Sequence, residues 1–459
     1  MAKIKKILLI NPCNKQKGLA TIKATRFKPM AIGVLAGMTP RGINVEVIDE
    51  NFDNFEEKIK KIKNIDIAAI TSFTSTATRA YEIAEKLKKK KVPVIMGGIH
   101  VSFMPEEALK YCDSVVIGEA EGVWKKVLRD YNEGNLERIY RQKRKKEEIP
   151  IGRSDDSVFN KNYFWGALQT SRGCPMNCDF CSVTPFNGHI YRKRPVDDII
   201  AELKEIKQKF VFFYDDNIVG KTKEQKYYAL NLFKRMVKEK INKIWYCQCS
   251  INIGEDEEIL KWMRKAGCRM LLVGFESVDK ENLKRMNKNY NLKLIEKYDR
   301  LIRNIHKNGI AVLGAFMIGY PLDGIHTIRI LREFVMDKGI DSFNLTHLTP
   351  FPGTKLYSRL SSEGRIVDCN YPDDWEKYNF SNVVYKHGNL SKKELIFIVD
   401  SIKKKIVAPV HMLFYRFLKT LFSTKSFSAA LVALTWNLGV RKAYLNGLKR
   451  RQKEGIEPY

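Results

Sequence analysis

Residues 166–181 read GALQTSRGCPMNCDFC. An apolar stretch gives way to polar residues and then to Cys174, Cys178 and Cys181 in a C-x3-C-x2-C spacing. A short loop can wrap three such thiols around three corners of one cubic cluster, and thiolates are the ligands that iron–sulfur clusters require. With no fourth cysteine close by, one iron stays open for the amino and carboxylate groups of a substrate. A structural zinc ion is the competing reading, but zinc wants four closing ligands, usually in C-x2-C pairs. His189, the nearby candidate, falls outside that spacing. Gly173 would let the backbone approach the cluster closely.

Working outward, the chain repeats the same strand-then-helix rhythm in both directions. After the cysteines come VFFYDDN, IWYCQCSIN, MLLVGFES, AVLGAFMIGYP and FNLTHLTP. With GALQTSRG these make six strands separated by helical patterns, which suits a partial (β/α)6 barrel over 165–360 whose working face is the strand carboxyl ends. Before the cysteines, ILLINP, VEVIDEN, IAAITSF, VPVIMGG and SVVIGEA alternate with helical stretches over 1–138. That pattern predicts an α/β doubly wound parallel sheet, which takes ligands at its strand carboxyl ends. Residues 139–164 are charged, lack apolar periodicity and read as a linker. Residues 361–459 read as mainly helical, with Ser391 and Glu394 at capping-box spacing. On WYCQCS, Cys247 and Cys249 alternate to one face and read as small core residues, while Gln248 or Ser250 could reach a cofactor.

The 459 residues carry a net charge of +29, which points to an anionic partner or to a solvated lysine-rich surface. Nine unevenly spread cysteines exclude a secreted disulfide framework. The N-terminal ILLI is too short for a signal peptide's apolar core, and no apolar run is long enough to span a bilayer. A reducing cytoplasm follows, with peripheral membrane association left open. Residues 391–459 hold ten Lys and four Arg against four acids, net +10, interleaved with Phe414, Tyr415, Phe417, Phe422, Phe427 and Trp436. This segment reads either as a helical cap on the barrel or as a face for an anionic membrane. No RNA-binding motif accompanies the charge, so nucleic acid is not expected.

C-x3-C-x2-C at the first barrel strand resembles the radical S-adenosylmethionine superfamily, and the resemblance runs through 165–360. It implies a 4Fe–4S cluster on Cys174, Cys178 and Cys181, S-adenosylmethionine as co-substrate, and a small electron donor such as flavodoxin or ferredoxin. VFFYDDN stands where that superfamily contacts the methionine ammonium, which implies a role for Asp215, Asp216 and Asn217; a helix N-cap is the plainer reading. LLVGFES is similar to the motif whose acid binds the ribose hydroxyls, here Glu276. GAFMIGYP resembles the strand under the adenine, and LTPFPGTKLYSRL the close of the barrel in cobalamin-linked members.

The N-terminal domain resembles the cobalamin-binding domain of that subgroup, on ITSFTS (70–75), GGIH (97–100) and IGEAEG (117–122). The resemblance implies that Gly97 and Gly98 admit a corrin edge or nucleotide tail, and that Ser72 and Thr74 bond to the buried dimethylbenzimidazole. The D-x-H-x-x-G pattern that supplies a cobalt-ligating histidine is missing: the matching places hold NPCNKQKG and KPMAIGVLAG. Anaerobic magnesium-protoporphyrin ester cyclase and hopanoid methylases often share that departure. A scaffold domain without cobalamin is the competing reading, and His100 reads as structural. The expected activity is cobalamin-dependent radical methylation of an unactivated carbon on a lipid-like or other small hydrophobic substrate. Radical cyclisation, coupling or oxidation shares every motif. A non-catalytic redox sensor would show no substrate cavity.

Overall fold

The computed structural model describes residues 3–14, 26–142, 146–159 and 163–453. The five apolar runs of the first domain become strands β1 (Lys6–Asn11), β2 (Asn44–Asp49), β3 (Ile67–Thr71), β4 (Val94–Gly97) and β5 (Ser114–Ile117). They pair in parallel in the order β2-β1-β3-β4-β5. All five residues of β3 and all four of β5 are buried, as a parallel sheet covered on both faces requires. The helix Ala77–Lys89 covers one face with Ala77, Ala80, Tyr81, Ala84 and Leu87 at helical spacing, and its last turn carries Lys86, Lys88 and Lys89.

The expected linker is not one throughout. Its first residues form β6 (Ile139–Arg141), which adds a sixth parallel strand beside β5. Three residues are too few to show periodicity, and only Tyr140 among them is buried. Farther on, Asp155 N–H donates to the Gly33 carbonyl at 2.9 Å, so this stretch also packs on the first domain. Residues 143–145 and 160–162 of the linker, and 15–18 of NPCNKQKG, lie outside the described residues.

The second sheet takes β7 (Trp165–Leu168), β10 (Phe210–Phe213), β11 (Ile244–Cys249), β12 (Cys268–Glu276), β13 (Ala311–Ile318) and β14 (Ser342–His347) in sequence order, all parallel. It curls without pairing β14 to β7, so it is a partial barrel. A short antiparallel ladder, β8 (Ser171–Arg172) with β9 (Arg192–Lys193), frames the cysteine loop. Phe27 of the first domain packs among Trp165, Phe212, Tyr214 and Tyr246, with ring centroids 5.3–6.4 Å apart.

The C-terminal hundred residues divide in two. Trp375, Tyr378 and Val384 join the apolar core on one face of the first sheet, beside Tyr81, Val101 and Ala108. Trp375 Nε1 donates to Glu107 Oε1 at 2.9 Å, and its ring meets His100 edge-on at 5.0 Å. The rest caps the barrel. The helix Lys392–Ile406 opens on the expected capping box, with Glu394 N–H donating to Ser391 Oγ at 3.2 Å and Ser391 N–H to Glu394 Oε2 at 2.7 Å. The helices Val410–Thr424 and Phe427–Lys453 then form a hairpin. Ala429, Val432, Ala433, Trp436 and Val440 of its second helix enter the barrel core. Trp436 is thus a core residue, unlike the aromatics it was grouped with by sequence.

Candidate active site

Alternation along the strands decides which side chains face the barrel interior. At the carboxyl ends these are Gln248 and Ser250, Leu272, Gly274 and Glu276, Ala315 and Met317, and Asn344 and Thr346. Together with the cysteine loop they line a cavity of about 580 Å³. Cys174, Cys178 and Cys181 all border it, and Cys181 N–H donates to the Cys178 carbonyl at 3.3 Å, which closes the loop on itself. Burial pushes the Cys174 thiol up to about 11, raises that of Cys178, and pushes that of Cys181 up to about 12. A coordinating metal removes those protons outright. Among the described residues no three His, Cys, Asp or Glu side chains are grouped to hold a metal ion. Three thiols on one loop and one cavity, each free to take a different iron, still fit a cluster with an open corner. His189 is exposed and does not border the cavity.

Gly173 has φ +94°, and a Cβ there would lie 2.2 Å from the Ile190 carbonyl oxygen. Its glycine is therefore required by the neighbouring backbone, rather than by close approach of a cluster.

The Asp-Asp-Asn triplet divides. Asp216 borders the cavity and accepts from Gly173 N–H at 2.8 Å; burial pushes its carboxyl up to about 6. Asp215 does not border it. Its carboxylate is consumed by Thr170 Oγ1 at 2.6 Å and by Ser171 N and Oγ at 2.5 Å each, tying β10 to the segment that leads into the cysteines. Asn217 is also turned aside, donating to Ser250 Oγ at 3.2 Å. Of the three side chains, then, the structure brings only that of Asp216 to the cavity, since consecutive residues leaving a strand cannot all face one way.

Glu276 borders the cavity and accepts from Lys288 Nζ at 2.7 Å. The pairing of β12 with β13 shifts register between Gly274 and Glu276, and Glu276 has φ +65°, a region that penalises a side chain. A Cβ at Gly274 would fall 2.4 Å from Glu276 Oε1, so that glycine clears the space for the ion pair. Burial alone would lower the Lys288 ammonium, but Glu276 together with Cys178 and Cys181 outweighs it and the group is raised. Lys288 escaped sequence reading because RMNKNYN has no strand or motif to place it. Phe351 and Phe380, ring centroids 4.9 Å apart, also border the cavity; Phe351 lies in the LTPFPGTKLYSRL segment read as closing the barrel, but neither ring was singled out there. Cys247 is fully buried in the core, as expected, whereas Cys249 also reaches the cavity wall.

The first sheet delivers its strand ends beside this cavity. Phe103, just after β4, meets Phe186 edge-on at 6.4 Å, beyond the cysteine loop. Gly118 has φ +83° and open space where a Cβ would stand, and Gly97 has only Val116 nearby at 3.7 Å. These two fit a large ring laid against the strand ends, and exposed Phe73 adds apolar surface after β3. Gly98 does not fit that role: a Cβ there would lie 2.7 Å from Ser72 N and O, so its glycine serves packing. Ser72 Oγ donates to the Phe73 carbonyl at 3.0 Å, and Thr74 Oγ1 lies 3.3 Å from His100 Nδ1. Both hydroxyls are thus held within the protein. His100 is buried against Tyr81, Glu107 and Trp375, a structural position. The acids of IGEAEG face the barrel: Glu119 pairs with Arg172 and Arg192, and Glu121 with Arg172 at 2.7 Å.

Comparison with known proteins agrees with this geometry. Residues 168–335 match the radical SAM superfamily and residues 19–128 the B12 binding domain. Bacteriochlorophyllide d C-8(2)-methyltransferase of Chlorobaculum tepidum is 30% identical over 375 residues, 78% of this chain and 80% of that one. Anaerobic magnesium-protoporphyrin IX monomethyl ester cyclase of Rubrivivax gelatinosus is 26% identical over 75% of this chain and 65% of its own. The radical S-adenosylmethionine methyltransferase TsrM from Kitasatospora setae, solved with cobalamin and a [4Fe-4S] cluster, superposes with a TM-score of 0.68 at 18% identity, covering 96% of this chain and 99% of that one. Its likeness is one of fold. With a three-thiol loop, an acid-lined cavity and an adjoining glycine-edged sheet, the chain belongs to the radical SAM superfamily, in the branch that carries a B12-binding domain, and is an enzyme that uses a 4Fe–4S cluster, S-adenosylmethionine and cobalamin.

Proposed function

We propose that the protein methylates an unactivated carbon of a hydrophobic substrate. The observation that carries this reading is the make-up of the cavity. Its lining brings the three cysteines, Asp216 and the Glu276–Lys288 pair together with apolar Leu272, Ala315, Met317, Phe351 and Phe380, and with polar side chains such as Gln248, Asn344 and Thr346. Apolar side chains within such a lining favour a hydrophobic molecule, and the polar ones orient it beside a charged cofactor end. When bound, the cofactors supply a 5′-deoxyadenosyl radical and a methyl group; the chain's share is to bind, orient and exclude water. Glu276 offers a carboxylate to ribose hydroxyls, and Asp216 an acceptor to an ammonium. The bacteriochlorophyllide relative is a methyltransferase and supports the methyl-transfer reading.

Radical cyclisation or oxidation is the second reading, supported by likeness to the ester cyclase. Product analysis separates the two. Anaerobic turnover with hydrophobic extracts, reduced flavodoxin or ferredoxin as electron donor and added cobalamin should yield S-adenosylhomocysteine and a product one methyl heavier. 5′-Deoxyadenosine without S-adenosylhomocysteine would replace methylation with cyclisation or oxidation. A sensor without a substrate cavity does not match the cavity found here.

A further inference from the structure

The helix Val410–Thr424 is amphipathic in the wrong sense for a helix whose surroundings are complete. Its buried face carries Leu413, Arg416, Thr420 and Thr424. Arg416 is spent on main-chain carbonyls, donating to Ile340 O at 2.8 Å and Asp341 O at 3.2 Å. Thr420 and Thr424 bond back within the helix to Arg416 O and Thr420 O, at 2.8 and 2.6 Å. The opposite face is apolar and open: Val410 is 65% exposed, Phe414 66% and Phe422 74%. Scattered exposed apolar residues need no explanation, but a stripe of large ones does.

The partner helix continues the same surface. Phe427, Leu431, Thr435 and Leu438 recur at helical spacing, and Phe427, Leu431 and Leu438 are exposed. About one and three turns beyond Leu438 on that stripe stand exposed Lys442 and Lys449. Phe417 and Phe427 meet edge-on at 5.9 Å, which locks the two apolar stripes side by side around Lys425. From Ser401 to Lys453 the chain carries eight Lys and four Arg and not one acidic residue.

We infer that the outer face of this helix hairpin docks on an anionic lipid bilayer, lying in its surface. Aromatic and aliphatic side chains flanked by lysines, with no carboxylate between, match the boundary between acyl chains and anionic headgroups. A second copy is a poor occupant, because pairing one acid-free face with itself opposes like charges on a chain of net charge +29. Insertion across the bilayer is not involved, since no helix among the described residues is long and apolar enough to span it. Both readings of this segment in the sequence therefore meet in one element: the inner face caps the barrel and the outer face is left for the membrane. The inference stands apart from the reaction proposed above.

Deleting the segment is a poor test, because Trp436 and its neighbours belong to the barrel core. The informative variants are on exposed side chains of the full-length, cluster-loaded protein: Phe414→Ser with Phe422→Ser, and Lys425→Gln, Lys442→Gln and Lys449→Gln together. Flotation with vesicles of equal parts phosphatidylglycerol and phosphatidylcholine should recover the parent protein at low salt, and vesicles of phosphatidylcholine alone much less. The phenylalanine variant should lose roughly tenfold or more in partitioning at any salt. The lysine variant should lose roughly fivefold per charge at low salt, with little further loss at high salt. Iron content and visible absorbance report whether each variant keeps its fold; if the phenylalanine variant does not, the lysine variant decides. Parent protein that ignores anionic vesicles at low salt overturns the inference. So does undiminished binding by a folded variant, or a dimer in light scattering that the phenylalanine variant dissolves.

Discussion

Glu119, two residues past β5 of the first domain, forms a buried ion pair with Arg172, two residues before the first cysteine of the barrel loop. The same arginine reaches Glu121, and the second oxygen of Glu119 takes Arg192 from the other strand of the ladder that frames the loop. The loop that carries the three thiols is therefore clamped to the strand end that borders open Gly118. The cysteine loop and the strand end of the first sheet are held in register by four charged side chains, Glu119, Glu121, Arg172 and Arg192.

Glu119→Gln should destabilise the folded protein by about 3 kcal/mol, because it leaves Arg192 buried without a carboxylate partner. Thermal unfolding measures that loss. A melting temperature equal to the parent's would show that the clamp carries no weight.

Cys174→Ala, Cys178→Ala and Cys181→Ala should each abolish the visible absorbance and reducible iron of the reconstituted protein, with cleavage of S-adenosylmethionine lost as well. Cys112→Ala and Cys268→Ala should leave all three, since both residues sit in apolar cores away from the cavity. An active Cys178→Ala protein would refute the assignment.

Glu276→Gln should weaken S-adenosylmethionine binding roughly tenfold or more while iron content stays unchanged. Charge-assisted hydrogen bonds to a diol are worth about 1.5–3 kcal/mol each, and the variant also leaves the Lys288 ammonium unpaired. Anaerobic titration gives the answer, and an unaltered affinity would move the ribose elsewhere.

His347 gives the fold an acid sensitivity. Burial, aided by Lys403, Arg451 and Lys392, pushes its imidazole down to about 3, and among the described residues its Nδ1 has no hydrogen-bond partner. In the unfolded chain the same group takes its proton near pH 6.5. Between those values the unfolded state binds the extra proton, so this group costs stability as pH falls, by about 1.4 kcal/mol per unit. His347→Leu should flatten chemical denaturation midpoints across pH 6.5 to 4 by that one proton. Identical slopes in variant and parent would contradict the burial argument.

All eleven apolar runs picked out by sequence became strands, because each strand of a parallel sheet is buried on both faces and its composition shows it. The cysteine loop was legible for a different reason: thiol spacing is a local constraint. Direction was not legible. VFFYDDN offers three polar residues in a row, and only the course of the chain after β10 decides that Asp216 faces the cavity while Asp215 holds Thr170 and Ser171. Gly98 and Gly173 were likewise readable as special, but what each one clears is set by a distant backbone: Ser72 in one case and Ile190 in the other. Lys288 was invisible because its partner lies across a loop and its neighbours carry no pattern.

Trp375 carries a consequence for synthesis and fragment design. This ring completes the interior of a sheet whose strands were made more than two hundred residues earlier, with Tyr378 and Val384 beside it. The amino-terminal region therefore takes part of its core from outside itself, although its boundaries look like those of a self-contained unit. In chain order, Trp375, Tyr378 and Val384 reach that apolar face only after the whole barrel has been made. A fragment cut at Gly134 to study cobalamin alone would expose Tyr81, Val101 and Ala108 to water, and belongs in a mixture with residues 365–385 supplied in trans.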